Sequence, residues 1–294
     1  MSPVKFMLKY LSQIAPILAL ATWFCLPAPA QAERYQEKQL SQALRQQLRV
    51  GEAVDLPLSP NSSFLAVYTK SFTHNSRGCV VLLHGLDAHL DWPQIIGPLR
   101  TQLPQHGWNT LSLQLETLNS FHRAKDYQAL YRDTEKRLAA AIDFLKQRGI
   151  YNIVLLGHSL GGSMGLYYLD SRKASADKAI IAFVGVGMYD PNGIAAEYRS
   201  DNATAELKIP ILDIYGTEDS IDVLNAAKLR KIAASKAGNS NFQQLALNGG
   251  DHFLSGLEQT AQKRIRLWIT KQAPSVELES AGSGKSRAEK PPQR

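Results

Sequence analysis

Two hydrophobic rhythms alternate along this chain. Residues 79–83, 151–156, 179–186 and 211–215 are short, nearly continuous apolar runs rich in Val and Ile, as expected of strands buried on both faces. Residues 64–70, 110–115 and 242–247 also read as strands, 110–115 with the alternation of a half-buried one. Between them the spacing changes to that of helices. In 131–148, Leu138, Ala141, Ile142 and Leu145 fall on one helical face and Gly149 ends the run. Residues 92–103, 159–171, 223–237 and 255–272 read as further helices, and the Gln-, Arg- and Leu-rich stretch 33–51 as a polar amphipathic one. Strands separated by helices predict parallel βαβ units, a sheet covered on both faces, and a ligand site outside the carboxyl ends of the strands.

The ends of the chain read differently. Lys5 and Lys9 precede the 13-residue apolar run 14–26, and Ala30-Gln31-Ala32 is a small-x-small cleavage pattern. A membrane-spanning helix needs about 20 apolar residues, so residues 1–32 are expected to be a cleaved secretory signal and the protein exported, to the periplasm. Residues 273–294 hold Pro, Gly and Ser without apolar periodicity, and are expected to be a disordered tail. The expected organisation is thus a signal (1–32), an N-terminal helix and leading strands packed on the core (33–75), the core itself (76–272) and the tail (273–294).

Charge and cysteine content narrow the function. The formal charge of +7 falls to +5 without Lys5 and Lys9, and no basic stripe with interleaved aromatics is present, so no nucleic-acid partner is expected. A mildly positive surface suits contact with an anionic envelope or membrane surface. The chain's cysteines are Cys25 and Cys79. Removal of the first leaves Cys79 without an internal disulfide partner, and its apolar neighbours make it a core residue. No metal-ligand spacing is seen, no cofactor is implied, and nothing fixes an oligomeric state.

Four motifs fall just past strand ends. Gly157-His158-Ser159-Leu160-Gly161, followed by Gly162, joins a strand to a helix. Alone it also fits a tight turn with a capping serine, but at this junction G-x-S-x-G is the pattern that lifts a serine hydroxyl above a sheet, with Gly157 and Gly161 giving the turn its clearance. His84-Gly85-Leu86 follows the strand 79–83. Acyl transfer builds charge on a carbonyl oxygen, and amides of Leu86 and Leu160 stand where two donors are needed; His84 reads as an orienter of the loop. Gly216-Thr217-Glu218-Asp219 offers a carboxylate to orient an imidazole, with Asp219 favoured over Glu218, Asp222 and the in-strand Asp213. Gly250-Asp251-His252-Phe253 offers the base, His252, whereas His74, His106 and His122 read as surface histidines.

The order Ser159, Asp219, His252, together with Val80-Val81-Leu82-Leu83-His84-Gly85, makes residues 77–272 resemble the α/β-hydrolase superfamily of esterases, lipases and acyl-transferring relatives. Within it the chain looks most like an exported bacterial branch of unknown function. The resemblance implies an eight-stranded, mostly parallel sheet with helices on both faces, and a Ser159-His252-Asp219 triad that cleaves an ester or related acyl bond through an acyl-enzyme. The serine nucleophile argues against dehalogenase chemistry. No proline follows Asp219 where many members carry one. Only residues 188–208 are available for a cap, which leaves room for a short helical lid. Asp87, His89, Trp92, Tyr189 and Phe253 are candidates to line a site for a small-molecule or lipid-like acyl substrate. The alternatives are a non-catalytic envelope-binding relative of the same fold and an acyltransferase.

Overall fold

The computed structural model describes residues 29–116, 124–171 and 178–272. The expected signal up to residue 28, His122 and the expected tail lie outside them. The described elements are α1 (Pro29–Gln47), β1 (Glu52–Ser59), β2 (Ser62–Thr69), β3 (Cys79–Leu83), α2 (Ile96–Gln102), β4 (Asn109–Leu113), α3 (Ala124–Gln147), β5 (Ile153–His158), α4 (Leu160–Ser171), β6 (Ile180–Val186), α5 (Ser200–Glu206), β7 (Ile211–Gly216), α6 (Ile221–Lys236), β8 (Phe242–Leu247) and α7 (Glu258–Gln272).

The strands form one eight-stranded sheet in the order β1-β2-β4-β3-β5-β6-β7-β8. The pairs from β4 to β8 are parallel, and β2 runs against both of its neighbours. This is the α/β-hydrolase fold. Alternation along each central strand divides the core into two layers. Cys79, Val81 and Leu83 of β3 face one layer with α3 and α4, and Val80 and Leu82 face the other with α2 and α7. Leu44 of α1 packs on Leu65, Val67 and Leu90.

Several elements differ from the sequence expectation. β1 is an edge strand with a mostly exposed pattern and Pro57, so it lacks the apolar run that marks the inner strands. α2 starts at Ile96 and not near Trp92, because Ile95 sits at φ 56° and the Trp92 carbonyl is taken by Gly97 N–H. α3 starts at Ala124, seven residues before the predicted start; its first turns are only partly buried and carry no apolar stripe.

The segment between β6 and β7 contains a 3-10 turn at Ala196–Tyr198 and the short α5. It is pinned from below. Asp213 of β7 and Arg230 of α6 are both 0% exposed, and Arg230 donates Nε and Nη2 to the two Asp213 oxygens at 2.9 and 3.1 Å. Arg230 Nη1 reaches Ser200 Oγ at 3.1 Å, and that hydroxyl donates to Asp190 at 2.7 Å. Gln244 of β8 donates to Asp213 at 2.8 Å. Removing one member leaves the other charge buried and uncompensated. Asp213→Ala is expected to lower stability by about 3–5 kcal/mol, measured by urea unfolding, and Asp213→Ala/Arg230→Met to recover much of that loss.

Candidate active site

The turn between β5 and α4 places Ser159 at φ 55°, a left-handed conformation that a non-glycine residue adopts only when its surroundings enforce it. The enforcement is visible. Ser159 N–H donates to the Val186 carbonyl at 2.8 Å, and Gly162 N–H closes the turn on the Ser159 carbonyl at 3.0 Å. A Cβ on Gly157 would lie 2.5 Å from Gly162, and one on Gly161 would lie 2.3 Å from the His84 carbonyl. Gly85 comes equally close to the serine: a Cβ there would lie 2.8 Å from Ser159 Cβ.

Loops after three strands bring side chains to this turn. His252, after β8, has Nε2 3.0 Å from Ser159 Oγ and Nδ1 2.9 Å from Asp219 Oδ1. The Asp219 side chain is fully buried, its Oδ1 also accepts Ser220 N–H at 2.6 Å, and its Oδ2 has no hydrogen-bond partner among the described residues. The imidazole remains 29% exposed. The other carboxylates are engaged elsewhere: Asp213 with Arg230, Asp222 with Asn192 Nδ2 at 3.5 Å, while Glu218 points to solvent.

The loop after β3 is held by a polar network. His84 is buried; its Nδ1–H donates to the Gly85 carbonyl at 2.8 Å, and its Nε2 accepts Leu115 N–H at 2.9 Å. Burial, first, pushes its pKa down to about 3, so it stays neutral. Gln114 lies against both ends of the loop, with Nε2 3.2 Å from His84 Nε2 and Oε1 accepting Leu90 N–H at 3.3 Å. Its carbonyl accepts from Arg137 at 2.8 Å, and Arg137 in turn grips both Glu37 oxygens at 2.6 and 3.0 Å. Leu86 of this loop and Leu160 at the head of α4 thus flank Ser159 in firmly held backbone.

The hydroxyl of Ser159 opens on a cavity of about 270 Å³. Trp92, Tyr189 and Phe253 line it, as expected, whereas Asp87 and His89 do not. His89 instead packs edge-on to Trp92 at 5.3 Å, and Asp87 is exposed. Tyr127, Leu86, Ala88 and His158 also line it. A larger cavity, about 810 Å³, lies between β1 and α3 and is not lined by the motif residues.

Sequence reasoning passed over His158 and Gln114. His158 is buried behind the imidazole, with ring centroids 4.9 Å apart, and its Nε2–H donates to the His252 carbonyl at 3.1 Å. Burial, then the nearby His252, lower its pKa to about 4. A polar residue inside an otherwise apolar strand end was the available signal for both.

Two histidines whose folded pKa values lie below the ordinary 6.5 take up protons in the unfolded chain before they do in the folded one. Stability is therefore expected to be level above pH 6.5 and to fall as the pH drops towards 4. Urea midpoints measured across that range check this, and His158→Gln should flatten the decline.

The sequence matches the family described as "Protein of unknown function (DUF3530)" over residues 19–130 and 122–271. No curated protein sequence matches it. Among solved structures, it is similar to Est1E from Butyrivibrio proteoclasticus with ferulic acid bound (TM-score 0.59, 14% identity, 75% of this chain and 99% of that one). It is also similar to a dienelactone hydrolase from Anabaena variabilis (0.57, 18%, 76% and 98%) and to a monoacylglycerol lipase from Paleococcus ferrophilus (0.56, 15%, 72% and 100%).

Proposed function

The chain belongs to the DUF3530 family within the α/β-hydrolase superfamily, and we propose that it is an exported serine hydrolase that cleaves esters of short or aromatic acyl groups. The observation that carries this reading is the unbroken line from Ser159 Oγ through His252 to the buried Asp219, with both links at hydrogen-bond length. Asp219 fixes the tautomer in which Nδ1 carries the proton and Nε2 is free to accept one. Ser159 Oγ attacks the substrate carbonyl as its proton passes to His252 Nε2. The amides of Leu86 and Leu160 receive the oxyanion, each such donor contributing about 3–4 kcal/mol. The imidazolium then protonates the leaving alcohol, and water, activated by the same nitrogen, releases the acyl group.

The cavity supports this choice of substrate class. Its volume of about 270 Å³ lies below the roughly 300–1,000 Å³ of pockets for drug-sized ligands, and Trp92, Tyr127, Tyr189 and Phe253 line it. A planar or short acyl group suits such walls, in keeping with the ferulic acid bound by Est1E.

The test is fluorophosphonate labelling together with hydrolysis of p-nitrophenyl esters of graded chain length and of an aryl acid. The wild type is expected to label and to prefer acetate, butyrate and aryl esters. Ser159→Ala should not label and should lose about 10⁴-fold or more in kcat/KM. A folded wild-type protein that neither labels nor turns over would favour a binding role for the same fold. Export is checked by N-terminal sequencing from the envelope fraction: Glu33 is the expected first residue, and a chain beginning at Met1 would contradict cleavage.

A further inference from the structure

α7 carries its buried face on Ala261, Gln262, Ile265 and Ile269. Beside that face runs a second stripe, Gln259, Gln262, Lys263 and Arg266, with the i, i+3, i+4, i+7 spacing of residues that share one side of a helix. A stripe of the same spacing faces it from α2 and the 3-10 turn Leu103–His106 that continues it, namely Leu99, Gln102, Leu103 and His106. Two facing helical stripes ordinarily carry apolar residues that close on each other. Here the α7 side is wholly polar, and a cleft of about 270 Å³ stays open between them.

The electrostatics of the cleft are one-sided. Its walls hold three groups able to carry positive charge, three primary amides and no carboxylate. Lys263, Arg266 and His106 form no ion pair among the described residues. Burial, and then the charge on Arg266, lower the His106 pKa, as expected where like charges meet without an anion between them. Gln262, only 9% exposed as a residue, adds an amide to the same wall. The floor is apolar, formed by the fully buried Leu99 and Leu103.

We propose that this cleft is a binding site for a phosphate ester, with Lys263, Arg266 and His106 on the phosphoryl oxygens, Gln262 donating from the wall, and the adjoining carbon skeleton over Leu99 and Leu103. Arg266 offers a planar fork and Lys263 a compact charge, a combination suited to an oxyanion with several acceptor oxygens. The site is separate from Ser159. Residues 103–106 lead into the start of β4, whereas Ser159, Asp219 and His252 follow the ends of their strands. Binding here does not depend on the hydrolase reading. The phosphate ester could be a soluble molecule or a lipid headgroup, and the chemistry of recognition is the same.

The test uses the full chain and follows the His106 imidazole by NMR during titration with inorganic phosphate and with glycerol phosphate. Both are expected to shift the His106 signals and raise its pKa, with glycerol phosphate the tighter. Lys263→Gln/Arg266→Gln, which changes groups at the surface, should weaken both by about tenfold or more. Ser159→Ala should bind as the wild type does. Sedimentation with phosphatidylglycerol vesicles, but not phosphatidylcholine vesicles, that is lost in the double variant would identify a lipid headgroup as the source. Binding of glycerol phosphate without sedimentation would identify a soluble ester. If His106 does not respond to either phosphate, or responds equally in the double variant, the proposal is wrong.

Discussion

A serine at φ 55° between a strand and a helix imposes its geometry on everything around it. The turn works only if α4 leaves β5 with almost no clearance, and that clearance is set by contacts of Gly157 and Gly161 with backbone rather than with yielding side chains. The His84 carbonyl, the end of β3 and the start of α4 are therefore fixed relative to one another before any polar side chain is considered. β5 sits between β3 and β6 in the sheet, so the same constraint passes to both neighbours. The loop after β3 and the Val186 carbonyl that receives Ser159 N–H take their positions from it.

Around that rigid centre the site is braced by networks of buried polar groups. His84, Gln114 and Arg137 form a continuous line from the loop beside Ser159 to Glu37 on α1, so an N-terminal helix far along the chain supports the backbone at Leu86. On the other side, Arg230 and Asp213 tie the segment carrying Tyr189 to β7 and α6. Such networks are costly if half made and stiff if complete. The described cavity wall is thus braced by structure beneath it.

The sheet and the four loop motifs were legible in the sequence because each rests on a local pattern. Buried parallel strands are continuous apolar runs, and the turn at Ser159 needs small residues at fixed offsets. Asp219 was legible only in part: Glu218 and Asp222 lie within three residues of it, and what separates them is the path of the loop, with Glu218 N–H drawn to the Gly250 carbonyl. β1 was not legible, since an exposed edge strand containing Pro57 has no apolar signature. Gln114, His158 and the pairing of Arg230 with Asp213 were not legible either. Their roles depend on partners tens of residues away, and no spacing rule brings such partners together. The cleft between α2 and α7 is of the same kind, because each stripe alone reads as an ordinary solvated helix face.

The order of the strands bears on how the molecule is completed as its chain emerges. From β5 onwards each new strand joins the edge left by the one before it, so the sheet grows in one direction, residue order matching spatial order. β7 and β8 come last, and with them the loops bearing Asp219 and His252. A chain halted short of β8 presents a tight serine turn and an open sheet edge, with His252 not yet beside the hydroxyl. The strand and loop that bring His252 to Ser159 thus belong to the last 31 described residues, Phe242 to Gln272.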